Sequence, residues 1–450
     1  MTRCVAAVLC TGIALALQSA EELNDLGVSL RKKGDGPGAV RALERAVRLR
    51  PEDARIHSNL ALALQESGRV SEAVAELRTA AALSPGNAQI RRNLGIVLAR
   101  AGDSGRAESE LRAALRLAPG DAESRQALGR ILGRQKRVTE AITEYLEAIK
   151  LEARNPDFRY ELGRLYEDAG NLAAADEAYQ VAIRLAPDRF AAHHARGALL
   201  LRTERPAEAE KELRRAVALM PSSGEAHRDL GLALRKLDRL DEAIAELRRA
   251  AELLPADPRT RIMLGQMLER AGASEEAARQ LAAGRKGTER QRNRELAKTY
   301  NNQGTELLQR GELDAAAAKL KQAIDLNPQD PLAHYNYGLA SLLSGKLDQA
   351  IAHFESAVQL APADPDTHYY LGRARLLRKE YAAAVAELQS AVKLNPADAR
   401  AYNALGVALA ANGKPDAAKD ALEKALELDP SSPLFRKNTQ CLREGCALEP

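Results

Sequence analysis

Tryptophan is absent from this chain, and aromatic residues of any kind make up only 3% of its 450 residues. Strands favour aromatic and β-branched side chains, so the shortage points to close-packed helices instead. Charge of one sign is also scarce. The 66 basic and 62 acidic residues leave a net +4, and Arg/Lys alternate with Glu/Asp as on solvated helix faces, which gives nucleic-acid binding little support. Beyond residue 19 no run is long and apolar enough to cross a membrane, so contact with one would be indirect. No Gly-rich phosphate loop follows a strand, and no nucleophile stands with a base and an orienting group. The chain reads as non-catalytic, without cofactor or metal.

What it has is a pattern that returns every 34 residues. A Gly or Ala marker recurs at Gly27, Ala61, Gly95, Gly129, Gly163, Gly197, Gly231 and Gly265, then at Gly304, Gly338, Gly372 and Gly406. Only the step from Gly265 to Gly304 differs, at 39. Twelve residues after each marker in the regular units comes an invariant alanine (Ala39, Ala73, Ala107 and onward), and four residues later a large knob such as Leu43, Tyr145, Tyr179 or Phe354. Gly34, Gly68 and their equivalents suit a left-handed helix end; Lys136, Glu204, Asp238 and Lys379 replace them in four units, where the turn is expected to be less favourable. Prolines such as Pro51, Pro85 and Pro119 stop the second helix. A period of this size means stacked units, each contacting only its neighbours.

The Leu-Gly-x-x-Leu/Tyr, Ala-x-x-x-Leu/Tyr/Phe-x-x-Ala and late Pro of each unit resemble the tetratricopeptide repeat, a helix–turn–helix of 34 residues. The resemblance covers about 20–430 and implies an all-α solenoid, a right-handed superhelix of about twelve repeats. Residues 20–289 would hold repeats one to eight, and 297–430 repeats nine to twelve. Between them, 290–296 is expected to be an irregular junction; the charge run around it allows either a hinge or one extended helix. Residues 431–450 form a C-terminal capping segment, with a polar helix from Pro433 to Arg443.

Residues 1–19 stand outside the register. One basic residue, a short apolar core and small residues near Ala16 and Ala20 read as a signal peptide, so the chain is expected to be exported to a periplasm or beyond; a retained anchor is the alternative. With that segment removed, only Cys441 and Cys446 remain. They make a poor metal site, and in an oxidising compartment they are expected to form a small disulfide, or else to stay as thiols. His57, His193, His227, His334 and His368 all fall at position 4 of separate repeats, counted so that the marker is position 8. They read as framework.

Carrying over the family's concave-face positions implies two different surfaces. The first is basic: Arg100, Arg134, Arg202, Lys236 and Arg270 at position 13, with Arg130 and Arg164 at position 9. Position 13 also lies where the helix dipole favours a cation whatever the function. The second is apolar: Tyr335, Leu339, Leu342, Leu343, Tyr369, Leu376 and Leu377, joined by Leu332 and Tyr370. Exposed contiguous apolar surface marks an interaction site; the alternative is burial against neighbouring helices. Asn59, Asn93, Asn302 and Asn336, at position 6, could hold an extended peptide, because a side-chain amide pairs with both backbone groups. No three consecutive repeats supply the family's carboxylate clamp for chaperone tails. The expectation is a protein-binding scaffold whose partner is a protein or extended peptide. The alternative is an envelope assembly or tethering factor that docks a membrane protein, or another copy of itself, through its C-terminal arm.

Overall fold

The computed structural model describes residues 19–449; the expected export signal, 1–19, lies outside them apart from Ser19. Twenty-four helices and no strand occur among the described residues. In the regular repeats a first helix of 13 residues alternates with a second of 14, as in Ala54–Glu66 followed by Val70–Leu83. Local chemistry sets these bounds. Asp53, Asn87, Asp330 and Asp398 cap first helices by accepting the free backbone amides one turn in, which leaves fewer orphan donors. At the other end the chain turns through a left-handed residue. Gly68 has φ +78°, and the substitutes Lys136, Glu204, Asp238 and Lys379 also lie at φ +56° to +67°. For a residue with a Cβ this conformation costs roughly 1–2 kcal/mol. The turn is therefore kept in those four repeats despite the side chain.

Small and large residues interlock between the two helices. The alanines at position 20, from Ala39 to Ala418, are fully or almost fully buried. A Cβ added at Gly27 would lie 2.4 Å from Leu43 Cγ, and one at Gly338 2.7 Å from the Phe354 ring. The marker glycine is thus the socket for the knob sixteen residues on. Eleven of the twelve knobs are buried; Leu281, in the interrupted repeat, is half-buried.

By its contacts the chain divides into two compact units. One runs up to Pro255 and includes Met263–Ala278; the other comprises Ala256–Ile262 and the chain from Arg279 onward. The expected irregular junction at 290–296 is corrected: these residues lie inside one 36-residue helix, Ser274–Gln309. Repeat eight has no closing proline, and scattered glycines such as Gly284 and Gly287 do not break a helix otherwise rich in Arg, Glu and Gln. Within the second unit, a Cβ at Gly284 would lie 2.6 Å from Ile262 Cγ1, and one at Gly287 2.9 Å from Pro258 Cβ. Both glycines admit the close approach of 256–262. The polar C-terminal helix forms as Pro433–Glu444, and Cys441 and Cys446 are joined as a disulfide with Cα atoms 4.7 Å apart.

Candidate functional site

Position 4 is a fastener, and the histidines belong to it. His57, His193, His227 and His368 each bridge the carbonyl of the preceding closing proline and a glutamate nineteen residues on. For His193 these contacts are 2.9 Å to Pro187 O and 2.6 Å to Glu212; for His227 they are 3.1 Å to Pro221 O and 2.6 Å to Glu246. Arg91 and Arg125 do the same through guanidinium nitrogens, to Pro85 O and Glu110 and to Pro119 O and Glu144. The contact ties the entry of a repeat to both of its helices. No group of three or more potential ligands could hold a metal among the described residues.

One fastener is altered. His334 still reaches Pro328 O, at 3.2 Å, but its other nitrogen faces His353 Nδ1 at 3.0 Å instead of a glutamate. Burial, and then the charge of His334, hold His353 below the ordinary imidazole range of about 6.5. The unfolded chain therefore takes up this proton first as pH falls. The stabilisation is fully present above about pH 6.5 and is lost as the solution is acidified through the folded-state value. Urea midpoints of the second unit should fall between pH 7.5 and 5.5. A His353→Glu variant, which restores the common pairing, should lose most of that fall; an equal fall in both proteins would assign it elsewhere.

Positions 5 and 6 form a ladder between repeats, offset by 35 residues. Asn59 donates to Asn24 Oδ1 at 2.7 Å, Asn336 to Asn301 Oδ1 at 2.9 Å, and Asn438 to Asn403 Oδ1 at 3.0 Å, while His194 pairs with Asp229 at 3.0 Å. Asn336 is buried and also donates to Thr305 Oγ1, so its amide is engaged within the protein and does not present itself on an open face. Asn59 and Asn93 are half-buried and line one open cavity of about 690 Å³. Asn302, in the second unit, is exposed.

The expected basic stripe is exposed but mostly engaged. Arg202 pairs with Glu167 at 2.5 Å, Lys236 with Glu204 at 2.6 Å, Arg270 with Asp238 at 2.8 Å and Arg164 with Glu161 at 3.2 Å. Arg100, Arg130 and Arg134 have no ion-pair partner among the described residues. Arg130, Arg134 and Arg164 come together, with Tyr145, around a cavity of about 500 Å³. Tyr145 was legible only as a knob. Burial pushes its phenol well above the ordinary range, Glu161 adds to this, and Arg130 and Arg164 oppose it.

The expected apolar patch separates into two layers. Leu343 is 63% exposed, and Leu332 and Leu377 are also open to solvent. Tyr335, Leu339 and Leu342 are half-buried around Phe354 and Leu371. Tyr369 and Leu376 are corrected to core: both lie in the apolar cluster of the last repeats, and Tyr369 is further covered by the guanidinium of Arg400, 5.1 Å from its ring centre. The next repeat covers these positions, which makes them packing residues.

The chain's own tail reaches the same end of the molecule. Asn438 donates to the Glu449 carbonyl at 2.8 Å and accepts its backbone N–H at 2.9 Å; Lys437 pairs with the Glu449 carboxylate, and Leu448 packs against the cluster that contains Leu405 and Val407.

The helix pairs, their sockets and the 34-residue register meet their counterpart in family comparisons. Tetratricopeptide repeat models match residues 24–88, 58–122, 92–156, 127–190, 194–258, 301–365, 341–408 and 399–432. The chain belongs to the tetratricopeptide repeat family. No curated protein matches it. Among solved structures, a MamA fragment from Desulfovibrio magneticus RS-1 is 24% identical over 37% of this chain and 94% of its own, with a TM-score of 0.36. PilF of Pseudomonas aeruginosa is 21% identical over 46% and 94%, with a TM-score of 0.42. YrrB, described as having an unusual peptide-binding site, is 21% identical over 44% and 99%, with a TM-score of 0.36. At these values the likeness is one of repeat fold alone. As a tetratricopeptide repeat solenoid, the chain has the architecture of a protein-interaction scaffold.

Proposed function

We propose that this chain is a non-catalytic scaffold that holds an extended segment of a partner protein along the face built by its first helices. The observation that carries the reading is the set Arg100, Arg130 and Arg134. Arg202, Lys236 and Arg270 on this face are engaged in ion pairs between repeats, whereas these three are exposed and have no ion-pair partner among the described residues. Unpaired cations on a docking face speed encounter with acidic partners and select against basic ones. A second reading, an envelope assembly or tethering factor that docks a membrane protein or a second copy, draws on the open leucines Leu332, Leu343 and Leu377. The Cys441–Cys446 disulfide supports the exported setting that both readings share.

In-cell photo-crosslinking tests the two together. A crosslinking residue at Ile96 or Gln126, on first helices, should capture one partner reproducibly. The same residue at Thr79 or Thr143, exposed on second helices, should not. Capture from Leu343 alone would favour the tethering reading. Equal capture from all five sites would remove the assignment of the first-helix face.

A further inference from the structure

Repeats four and five differ at one place in a way that exposes a missing group. In repeat five the knob Tyr179 is fully buried, and its hydroxyl donates to Glu167 Oε1 at 2.6 Å. In repeat four the equivalent knob is Tyr145, 1% exposed. The two rings sit alike: a Cβ at Gly129 would lie 2.7 Å from Tyr145 Cε2, and one at Gly163 2.6 Å from Tyr179 Cε1. The residue 34 before Glu167, however, is Gly133. The carboxylate that Tyr179 uses has no counterpart, and the Tyr145 hydroxyl is sealed from solvent with no hydrogen-bond partner. A buried hydroxyl left unmatched is costly, on the order of 1–3 kcal/mol.

The gap is also shaped and charged for a visitor. Gly133, Tyr145, Arg130, Arg134, Lys136 and Arg164 line the cavity of about 500 Å³. Two acids line it as well, Glu161 and Asp168; Glu161 is engaged by Arg164. Four cations therefore surround a space with two carboxylates, and three of those cations have no ion-pair partner. A neutral occupant would leave that imbalance in place, whereas an anion that accepts from the tyrosine offsets both deficits.

We propose that the cavity bordered by Gly133 is a docking pocket for a carboxylate side chain, Asp or Glu, of the bound partner segment, which accepts from the Tyr145 hydroxyl and is balanced by Arg130 and Arg134. The partner thereby supplies to repeat four what Glu167 supplies to repeat five. This rests on the first-helix face being the binding face, and it adds the chemistry that the face selects.

Two measurements on the full chain decide it. The first needs no ligand. Gly133→Glu should refill the pocket from within, so its urea midpoint should exceed that of Gly133→Gln, which has the same backbone effect. The gap should vanish when each is combined with Tyr145→Phe. Equal midpoints for Glu and Gln would overturn the proposal. The second follows the ring signals of 13C-labelled tyrosines, with Tyr145 assigned from Tyr145→Phe. The probes are an acetylated, amidated Ser/Ala decapeptide with one central Glu, its Gln twin, the Gln twin with a free C-terminal carboxylate, and inorganic phosphate. The Glu peptide should move the Tyr145 signal with an affinity about tenfold above its Gln twin, and Gly133→Glu should abolish the difference. A silent Tyr145, or an equal response to the Gln twin, the free carboxylate or phosphate, would overturn the proposal. None of these results alters the crosslinking at Ile96 and Gln126, so the binding face and its carboxylate pocket fail separately.

Discussion

Phe354→Ala should destabilise the second unit by about 3–5 kcal/mol, the usual range when a fully buried phenylalanine is truncated. Phe354 is 0% exposed and fills the socket of Gly338. It also stacks on Tyr370 and meets Tyr335 at a tilt of 60°, each at a ring-centroid distance of 6.1 Å. Removing it empties the interface between two helices of one repeat and loosens the contact to the next. Because a solenoid is stabilised repeat by repeat, the effect should be local. Hydrogen exchange should accelerate across 331–394 while amides in 54–250 keep their protection. A loss below about 1 kcal/mol in urea denaturation would show that the socket collapses around the gap and that the knob is not the main fastening of the repeat.

The two leucines Leu343 and Leu376 should part company in a serine scan. Leu376 is 6% exposed, inside the cluster with Val385 and Leu405. Leu376→Ser removes buried methyl groups and leaves a hydroxyl to be matched, a loss on the order of 3 kcal/mol. Leu343, 63% exposed, should cost no more than about 0.5 kcal/mol and should leave the helical signal unchanged. If Leu343 anchors a partner, Leu343→Ser should instead show up as faster dissociation. Comparable destabilisation by both substitutions would mean that the open leucines are packing residues too.

That contrast marks where reading the sequence stopped. The register of the repeats was visible because three requirements recur together: Gly or Ala at position 8, an alanine at position 20 and a knob at position 24. Each is enforced locally, so the pattern carries it. The ends of the helices followed from the turn glycines and the closing prolines for the same reason. Burial at positions 5 and 12 does not follow in this way, since Tyr369 and Leu376 are covered by residues of the next repeat, such as Arg400 and Leu405. Position within a unit cannot report what its neighbour contributes. The fastening at position 4 was open to reading and was missed: His or Arg at 57, 91, 125, 193, 227 and 368 is followed each time, nineteen residues later, by Glu. Gly133 opposite Tyr145 likewise becomes informative only when repeats four and five are aligned on each other. The continuous helix through 290–296 reflects an omission, the closing proline that repeat eight lacks.

The amide of Asn438 has a further consequence. It grips the backbone of Glu449 through both hydrogen-bonding groups, in the manner expected of an asparagine that holds a peptide. Were a partner segment to dock on the last stretch of the second unit, it would meet this tethered segment as a competitor, present at a fixed local concentration however dilute the protein. Such a segment would find a site available only in the fraction of molecules in which Leu448 and Glu449 have lifted, and its apparent dissociation constant would rise by the inverse of that fraction. Affinities measured without Leu448 and Glu449 would then describe a different receptor from the one that keeps them.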